Sequence, residues 1–245
     1  MSLLLHCGAE SANLEDLKAI TIPEPTKTYR PVGHYDFANM LRGMASSILP
    51  NFTHVKSQFG LARAGDQMFG VHTFQNSHTD LGLSIGFRNS YDRSLSAAIA
   101  VGASVFVCDN MCLAGDITVM RKHTLNVNQD LEQLAITAIL KSRSAYYQVR
   151  EDAGRMKAID LDNDEAYKLM GLLYGHGVIT PRQVPIVKRE WLTPSHDEFK
   201  GRLMWSLYNA ATEALKSSPP RTIMEKHLQL HHMITQHHQA GSLPA

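Results

Sequence analysis

The densest group of polar side chains in the sequence lies in one short break between two apolar stretches. Residues 86–94 read GFRNSYDRS, in which Arg88 and Arg93 flank Asn89 and Asp92. Guanidinium and amide groups at a chain reversal are suited to contacts with phosphate oxygens. One local carboxylate is too few to hold a catalytic metal ion. The pattern therefore favours a phosphate-contacting turn over a nuclease centre, and we assign no catalytic residue.

The same composition is also typical of an ordinary β-hairpin connection. Asn, Ser and Asp side chains stabilise turns by hydrogen-bonding nearby backbone groups. The flanking stretches LGLSIGF and AIAVGASVFV alternate large apolar residues with small ones, which is the period of a strand. The small residues give both strands a face of glycine, alanine and serine. This face predicts the close approach of a packed helix or, alternatively, of a ligand or nucleic-acid backbone.

Hydrophobic periodicity divides the chain into a β-rich first half and a helical second half. Three prolines predict an extended segment over residues 1–33. Alternation of period two predicts a meander of about four antiparallel strands within residues 55–120, and helical periodicity returns over residues 126–238. We expect residues 239–245 to form a flexible tail. The sequence thus predicts one α+β domain over residues 34–238, with the meander packed against helices from the second half.

A long helix is predicted directly after the sheet, and it carries Lys141, Arg143 and Arg150 towards its C-terminal end. Basic side chains on a long helix can contact phosphates without reading base sequence. We therefore group them with the polar break as candidate nucleic-acid-binding residues: Arg88, Asn89, Arg93, Lys141, Arg143 and Arg150.

Composition limits the classes of function. Lysine and arginine number 24 against 23 acidic residues, so the net charge of +1 gives no overall field that would attract a polyanion. A nucleic-acid surface must therefore be a local patch. No apolar run approaches the roughly 18 residues needed to cross a bilayer. The three cysteines, Cys7, Cys108 and Cys112, have no spacing typical of a disulfide framework, so we expect a cytoplasmic protein without a membrane partner.

Two stretches resemble metal sites but lack essential ligands. The sequence DLDND begins like a calcium loop, yet Glu165 and Gly171 stand where the loop requires glycine and glutamate. His227 and His231 lie four apart on a predicted helix, which is too few ligands for a zinc site. We expect no metal and no cofactor.

Three blocks, in order along the chain, resemble a known family. They are the R-N-S turn, a C-x-N segment and a W-x-x-x-N-A-x-T-E helix. Over about residues 23 to 235 the sequence is similar to the phage- and plasmid-borne family labelled domain of unknown function 932. The resemblance implies a phage, prophage or plasmid origin in a bacterial host, and it implies no activity. It marks further residues without assigning them roles: Ser90, Asp92, Asn110, Asn209, Thr212 and Glu213. Asn209 and Glu213, four apart on a helix, can equally brace the turn by hydrogen bonds.

A meander followed at once by a long basic helix is similar to the core of single-strand annealing recombinases, which implies a ring-forming, DNA-binding protein by analogy of fold alone. We therefore expect a non-enzymatic homo-oligomer that binds DNA, single-stranded rather than double-stranded, in recombination or in protecting incoming DNA. The main alternative is an effector that binds and inhibits a host defence protein. A metal-dependent nuclease using Asp92, Asp109 or Asp116 with a histidine is less favoured.

Overall fold

The computed structural model describes residues 10–76, 81–105, 110–219 and 222–241, with the backbone alone for residues 104–105, 110–119 and 237–241. Six strands form one antiparallel sheet whose spatial order is the order of the chain. The strands are β1 (Glu10–Ala12), β2 (Thr53–Ala62), β3 (Gln67–Gln75), β4 (Leu81–Ser90), β5 (Ala97–Val105) and β6 (Asn110–Arg121). A sheet in the first half followed by helices confirms the predicted α+β class.

Seven α-helices accompany the sheet in the described part of the chain. They are α1 (Leu14–Ala19), α2 (His34–Ile48), α3 (Val127–Lys157), α4 (Asn163–Gly175), α5 (Val184–Leu192), α6 (Met204–Leu215) and α7 (Ile223–Gly241). The long helix predicted directly after the sheet is α3. No helix among the described residues combines the length and the apolar character needed to span a membrane.

Several elements differ from the sequence-based expectation. The segment expected to be extended over residues 1–33 contains strand β1 and helix α1, because Asn13 and Asp16 form a reciprocal capping box that starts α1. The sheet has six strands because β1 and β2 join the four expected ones. Within the predicted helical half, residues 184–192 form the short helix α5, with a proline in its first turn. Residues 1–9, and 242–245 of the tail expected to be flexible, lie outside the described residues.

One face of the sheet forms the main core. Leu83, Ile85 and Phe87 of β4 lie beside Ile99 and Val101 of β5, and all five are buried. Helices α2 and α3 pack on this face with their apolar residues, including Phe37, Leu41, Leu131, Ala135 and Ile139. The period-two pattern of β4 and β5 therefore supplies a row of large apolar side chains on which these helices pack.

The opposite face carries the small residues of β4 and β5. Helix α7 covers part of it, because Ile223 and Met224 pack against Ala98 and Ala100 of β5 and against β3. The small side chains allow the helix to lie close to the sheet. The sequence left open whether a helix or a ligand approaches this face, and around these alanines it is α7.

The packing of the core predicts a sharp difference between two glycine substitutions. A Cβ added at Gly70 in β3 would lie 2.4 Å from Cζ of the buried Phe87, whereas one added at Gly43 in α2 would meet nothing within 4 Å. We expect Gly70→Ala to lower the free energy of unfolding by about 1–3 kcal/mol. Gly43→Ala, the matched control, should leave it unchanged or raise it by up to about 1 kcal/mol. Urea denaturation measures both, and equal effects would contradict this packing.

Candidate functional site

The polar break begins later than the sequence suggested. Arg88, Asn89 and Ser90 belong to β4 and are at most 5% exposed, so the connection to β5 comprises only residues 91–96. Because successive residues of a strand face opposite sides of the sheet, the side chains of Arg88 and Asn89 lie on opposite faces of the sheet. The predicted hairpin is present, but a single surface turn does not carry all the polar residues of the break.

Asn89 is the centre of a buried hydrogen-bond network. Its Nδ2 donates to the carbonyl of Val32 at 2.6 Å and lies 3.0 Å from Nδ1 of His34. Its Oδ1 lies 2.7 Å from Nε2 of His123. Nε2 of His34 lies 3.0 Å from the carbonyl of Gly65. These distances fit two neutral imidazoles that carry their proton on Nε2, so that every polar atom of the amide has a partner.

Burial accounts for the neutral state of both rings. It lowers the pKa of His34 to about 4, although the hydrogen bond to the carbonyl of Gly65 acts in the opposite direction. Burial also lowers the pKa of His123. Both imidazoles are therefore neutral at pH 7, as the hydrogen-bond pattern requires.

Two tyrosines connect this network to the turns. The ring of Tyr91 stacks on His34 at a centroid distance of 3.9 Å, and its hydroxyl accepts a hydrogen bond from the backbone N–H of His34. The N–H of Tyr91 donates to the carbonyl of Asp66 in the β2–β3 turn at 2.7 Å. Tyr29 donates its hydroxyl to the carbonyl of Tyr91. The β2–β3 turn, the β4–β5 connection and the N-terminal segment are thus held together.

Ser90 and Asp92 close the β4–β5 connection. Oγ of Ser90 donates to the carbonyl of Leu95 and accepts from its N–H, at 3.1 and 3.0 Å. Asp92 accepts hydrogen bonds from the backbone and hydroxyl of Ser94 and from the side chain of Gln67. Burial raises the pKa of Asp92, but these hydrogen bonds outweigh burial and the pKa lies below its ordinary value. The carboxylate is therefore ionised at neutral pH.

Exposed arginines lie at this end of the sheet, and we call Arg30, Arg63 and Arg93 the arginine cluster. The Arg63 side chain is 67% exposed, and its Nη1 lies 3.2 Å from Oδ2 of Asp92. The guanidinium of Arg93 lies 4.3 Å above the ring of Tyr29. Arg30, also exposed, follows Tyr29 and donates its backbone N–H to the carbonyl of His123.

The backbone of the cluster is unusual. Arg63 and Arg93 have φ angles of 53° and 61°, in the left-handed region that non-glycine residues seldom adopt. Such conformations cost free energy and persist where the surroundings determine them. Here Asp92 joins the two turns, and the network beneath fixes both. Sequence reasoning missed Arg63, because it lies in the β2–β3 turn, outside the polar break and the long helix from which the candidates were taken.

Arg88 lies on the other side of the sheet, beneath the surface. Its side chain is 6% exposed, and its two terminal nitrogens lie 3.0 and 3.3 Å from the carboxylate oxygens of Glu225 in α7. A bidentate pair of this kind is strong when both partners are held by their elements. Arg88 thus binds α7 to the sheet, and Asn89 is fully buried. In this structure neither side chain is presented to a phosphate group.

The basic residues predicted on the long helix are exposed, but they do not share one face. Arg143 and Arg150 are seven residues apart, about two helical turns, and lie on the same side of α3. Lys141 precedes Arg143 by two residues and therefore lies on the opposite flank of the exposed surface. The helix thus presents Arg143 and Arg150 together, and Lys141 separately.

The marked residues of α6 are mainly internal. Asn209 donates to the carbonyl of Trp205, Thr212 donates to the carbonyl of Asn209, and both side chains are buried. Glu213 pairs with Lys216 at 2.5 Å. These bonds lie within α6 and its C-terminal end. Asn110 begins β6 opposite Val105, and its side chain lies outside the described residues.

Sequence reasoning missed a second buried cluster. Nε2 of His231 lies 3.1 Å from Oδ2 of Asp152, and its Nδ1 lies 3.2 Å from the hydroxyl of Tyr208. All three side chains are buried, so the cluster joins α7 to α3 and α6. His231, considered with His227 as a metal pair, therefore has other partners. Among the described residues, no three His, Cys, Asp or Glu side chains are grouped to hold a metal ion.

Comparison with known proteins places the chain in a family. A family model described as domain of unknown function (DUF932) matches residues 25–234, which is most of the chain. The chain belongs to the DUF932 family. No curated protein and no solved structure matches it. Both the Asn89 network and the turns of the arginine cluster lie within the matched range of this DUF932 protein.

The network predicts that Asn89 contributes strongly to the stability of the DUF932 fold. Asn89→Leu keeps the branched shape of the side chain but removes the hydrogen-bond partner of Val32, His34 and His123 inside the protein. Because buried polar groups without partners are costly, we expect the free energy of unfolding to fall by about 2–4 kcal/mol. The control Asn128→Leu, at an exposed position of α3, should change it by less than about 0.5 kcal/mol. Equal losses in urea denaturation at pH 7 would contradict the network.

The lowered histidine pKa values predict a pH-dependent stability. Burial also lowers the pKa of His72 to about 4, although a hydrogen bond to the carbonyl of Ala38 opposes this. Between pH 6.5 and 4 the unfolded chain binds protons that folded His34 and His72 do not, so stability falls as the pH falls. Each histidine should contribute a slope of up to about 1.4 kcal/mol per pH unit. Urea denaturation of wild type and His34→Gln at several pH values measures the difference, and identical slopes would contradict it.

Proposed function

We propose that the arginine cluster binds the phosphate backbone of single-stranded DNA, in a bacterial cytoplasm that carries the mobile element encoding this protein. The supporting observation is that Arg63 and Arg93 are exposed on two adjoining turns and are held there in left-handed backbone conformations. The proposal contains no catalytic step. It fits a role in recombination or in the protection of incoming DNA.

Pre-organisation is the first argument for this surface. Asp92 contacts Arg63 of one turn and lies next to Arg93 of the other, and the hydrogen bond from Tyr91 to Asp66 ties the two turns together. The entropic cost of ordering the turns is therefore small when a ligand binds both guanidinium groups. Arginine is also the residue best suited to phosphate, because its planar group donates several hydrogen bonds in a fixed geometry.

Charge and shape favour a single strand over a duplex. Asp66 and Asp92 lie in the same two turns as Arg63 and Arg93, and Asp92 contacts Arg63, so the positive patch is small, in a protein whose net charge is +1. A flexible single strand can follow such a patch, whereas a duplex, with a persistence length of about 150 base pairs, must be bent at a cost. Arg93 stacked on the ring of Tyr29 has the cation and aromatic pairing common in single-strand sites.

The alternative nuclease chemistry has less support. The carboxylate of Asp92 accepts hydrogen bonds from Arg63, Gln67 and Ser94, so its oxygens are already occupied. Asp109 and the side chain of Asp116 lie outside the described residues. The hydrogen bonds of Asp92 fit a residue that positions the turns.

Fluorescence anisotropy with labelled oligonucleotides over a salt series tests the proposal. We expect the wild type to bind single strands more tightly than duplexes and to leave the DNA intact. Arg63→Ala/Arg93→Ala should weaken binding at least about tenfold and reduce the slope of log affinity against log salt by about 1.4, the amount expected for two phosphate contacts on a single strand.

The matched control is Lys141→Ala/Arg150→Ala, which removes the same charge from α3. This control should keep most of the affinity. If it loses binding while Arg63→Ala/Arg93→Ala does not, the interface lies on α3. Absence of binding by the wild type at low salt would overturn the proposal altogether and direct the search to a protein partner in the host.

A further inference from the structure

Helix α3 carries a continuous exposed stripe that the described part of the chain does not cover. Its members recur at intervals of three or four residues and so lie on one side of the helix. We call this set the α3 stripe: Glu132, Ile136, Leu140, Arg143, Tyr147 and Arg150. Leu140 is 62% exposed, more than any other large hydrophobic side chain described, and Tyr147 and Ile136 are 39% and 37% exposed.

The opposite side of α3 explains why this stripe faces outward. Leu131, Ala135, Ile139 and Val149 are buried against the sheet and its helices. The stripe therefore adds apolar surface beyond what the domain needs for its own core. A row of large apolar side chains along one exposed helix face marks an interaction surface.

The order of charges along the stripe identifies the partner. Glu132 lies at its N-terminal end, the apolar residues lie in the middle, and Arg143 and Arg150 lie towards its C-terminal end. When a second copy of the stripe runs in the opposite direction with Ile136 opposite Tyr147, Leu140 falls opposite Arg143. Glu132 then falls within one residue of the level of Arg150. Two copies of the stripe are therefore complementary in charge and in apolar surface when they run antiparallel.

We propose that this protein forms a two-fold symmetric dimer in which the α3 stripes of two copies pack antiparallel, with the symmetry axis between residues 141 and 142. Apolar side chains fill the centre, the stem of Arg143 covers Leu140, and Glu132 pairs with Arg150 at both ends. A two-fold interface requires one patch to match itself in this way. A parallel arrangement would oppose Glu132 to Glu132 and Arg150 to Arg150, and like charges disfavour it.

The size of the contact sets its strength. The stripe runs over 19 residues, from 132 to 150, and its 18 steps of 1.5 Å give a length of about 27 Å. One helix pair of this length lies at or below the lower limit of stable interfaces, so the dimer should be concentration-dependent, with Kd on the order of 10 μM. The arginine cluster lies on the turns and the N-terminal segment, so this inference does not depend on the proposed DNA binding.

Sedimentation velocity of the full chain over a wide concentration range tests the dimer. We expect the wild type to shift from monomer to dimer, and Leu140→Arg to remain monomeric. Glu132→Arg and Arg150→Glu should each weaken self-association at least about tenfold, because each places like charges at both ends of the interface. Lys141→Glu, the matched control on the other flank, should dimerise like the wild type.

Mixing the two charge variants gives the decisive result. In a mixture of Glu132→Arg and Arg150→Glu chains, both ends of an antiparallel heterodimer carry opposite charges, so association should recover to near the wild-type level. This readout remains informative even if Leu140→Arg fails to fold, and circular dichroism checks the fold of each variant. A wild type that stays monomeric, a dimer insensitive to these substitutions, or a mixture that does not recover would each overturn the proposal.

Discussion

The buried amide of Asn89 is the interaction on which this end of the molecule depends. An amide inside a protein must have its hydrogen bonds satisfied, and the partners of Asn89 come from two separate segments: Val32 and His34 near the start of α2, and His123 between β6 and α3. His34 then reaches the β2–β3 turn through Gly65. One side chain thereby fixes the relative positions of the sheet, α2 and the turn that carries Arg63.

Because side chains of β4 alternate between the two faces of the sheet, neighbouring residues of the polar break have different structural roles. Asn89 faces the layer of α2 and organises the turns, whereas the neighbouring Arg88 faces the other side and holds α7 through Glu225. The densest polar stretch is therefore mostly internal. The exposed charge belongs to the residues that this framework positions, Arg30, Arg63 and Arg93. Such a division holds the two short turns in place through the buried hydrogen bonds beneath them.

Periodicity was sufficient to predict the α+β class, four of the six strands and the long helix α3. It missed α1, which depends on a local capping box, and β2, in which Lys56, Ser57 and Gln58 interrupt the alternation. The partners of the polar break could not be predicted, because Asn89 is 57 residues from Val32 and Arg88 is 137 residues from Glu225. Contacts at such separations leave no pattern in one sequence. The sequence also could not predict which residues of α3 are exposed, because that depends on which side of the helix packs on the sheet.

The central claim is that the two turns fixed by the Asn89 network form the DNA-contacting surface. Hydrogen-exchange mass spectrometry of the protein, alone and saturated with a single-stranded oligonucleotide, tests it most directly. The account predicts slower exchange in the bound state at residues 29–31, 63–66 and 91–96, with α4 and α5 unchanged. Saturating DNA that leaves these three segments unchanged, or that protects only helices distant from them, would contradict it.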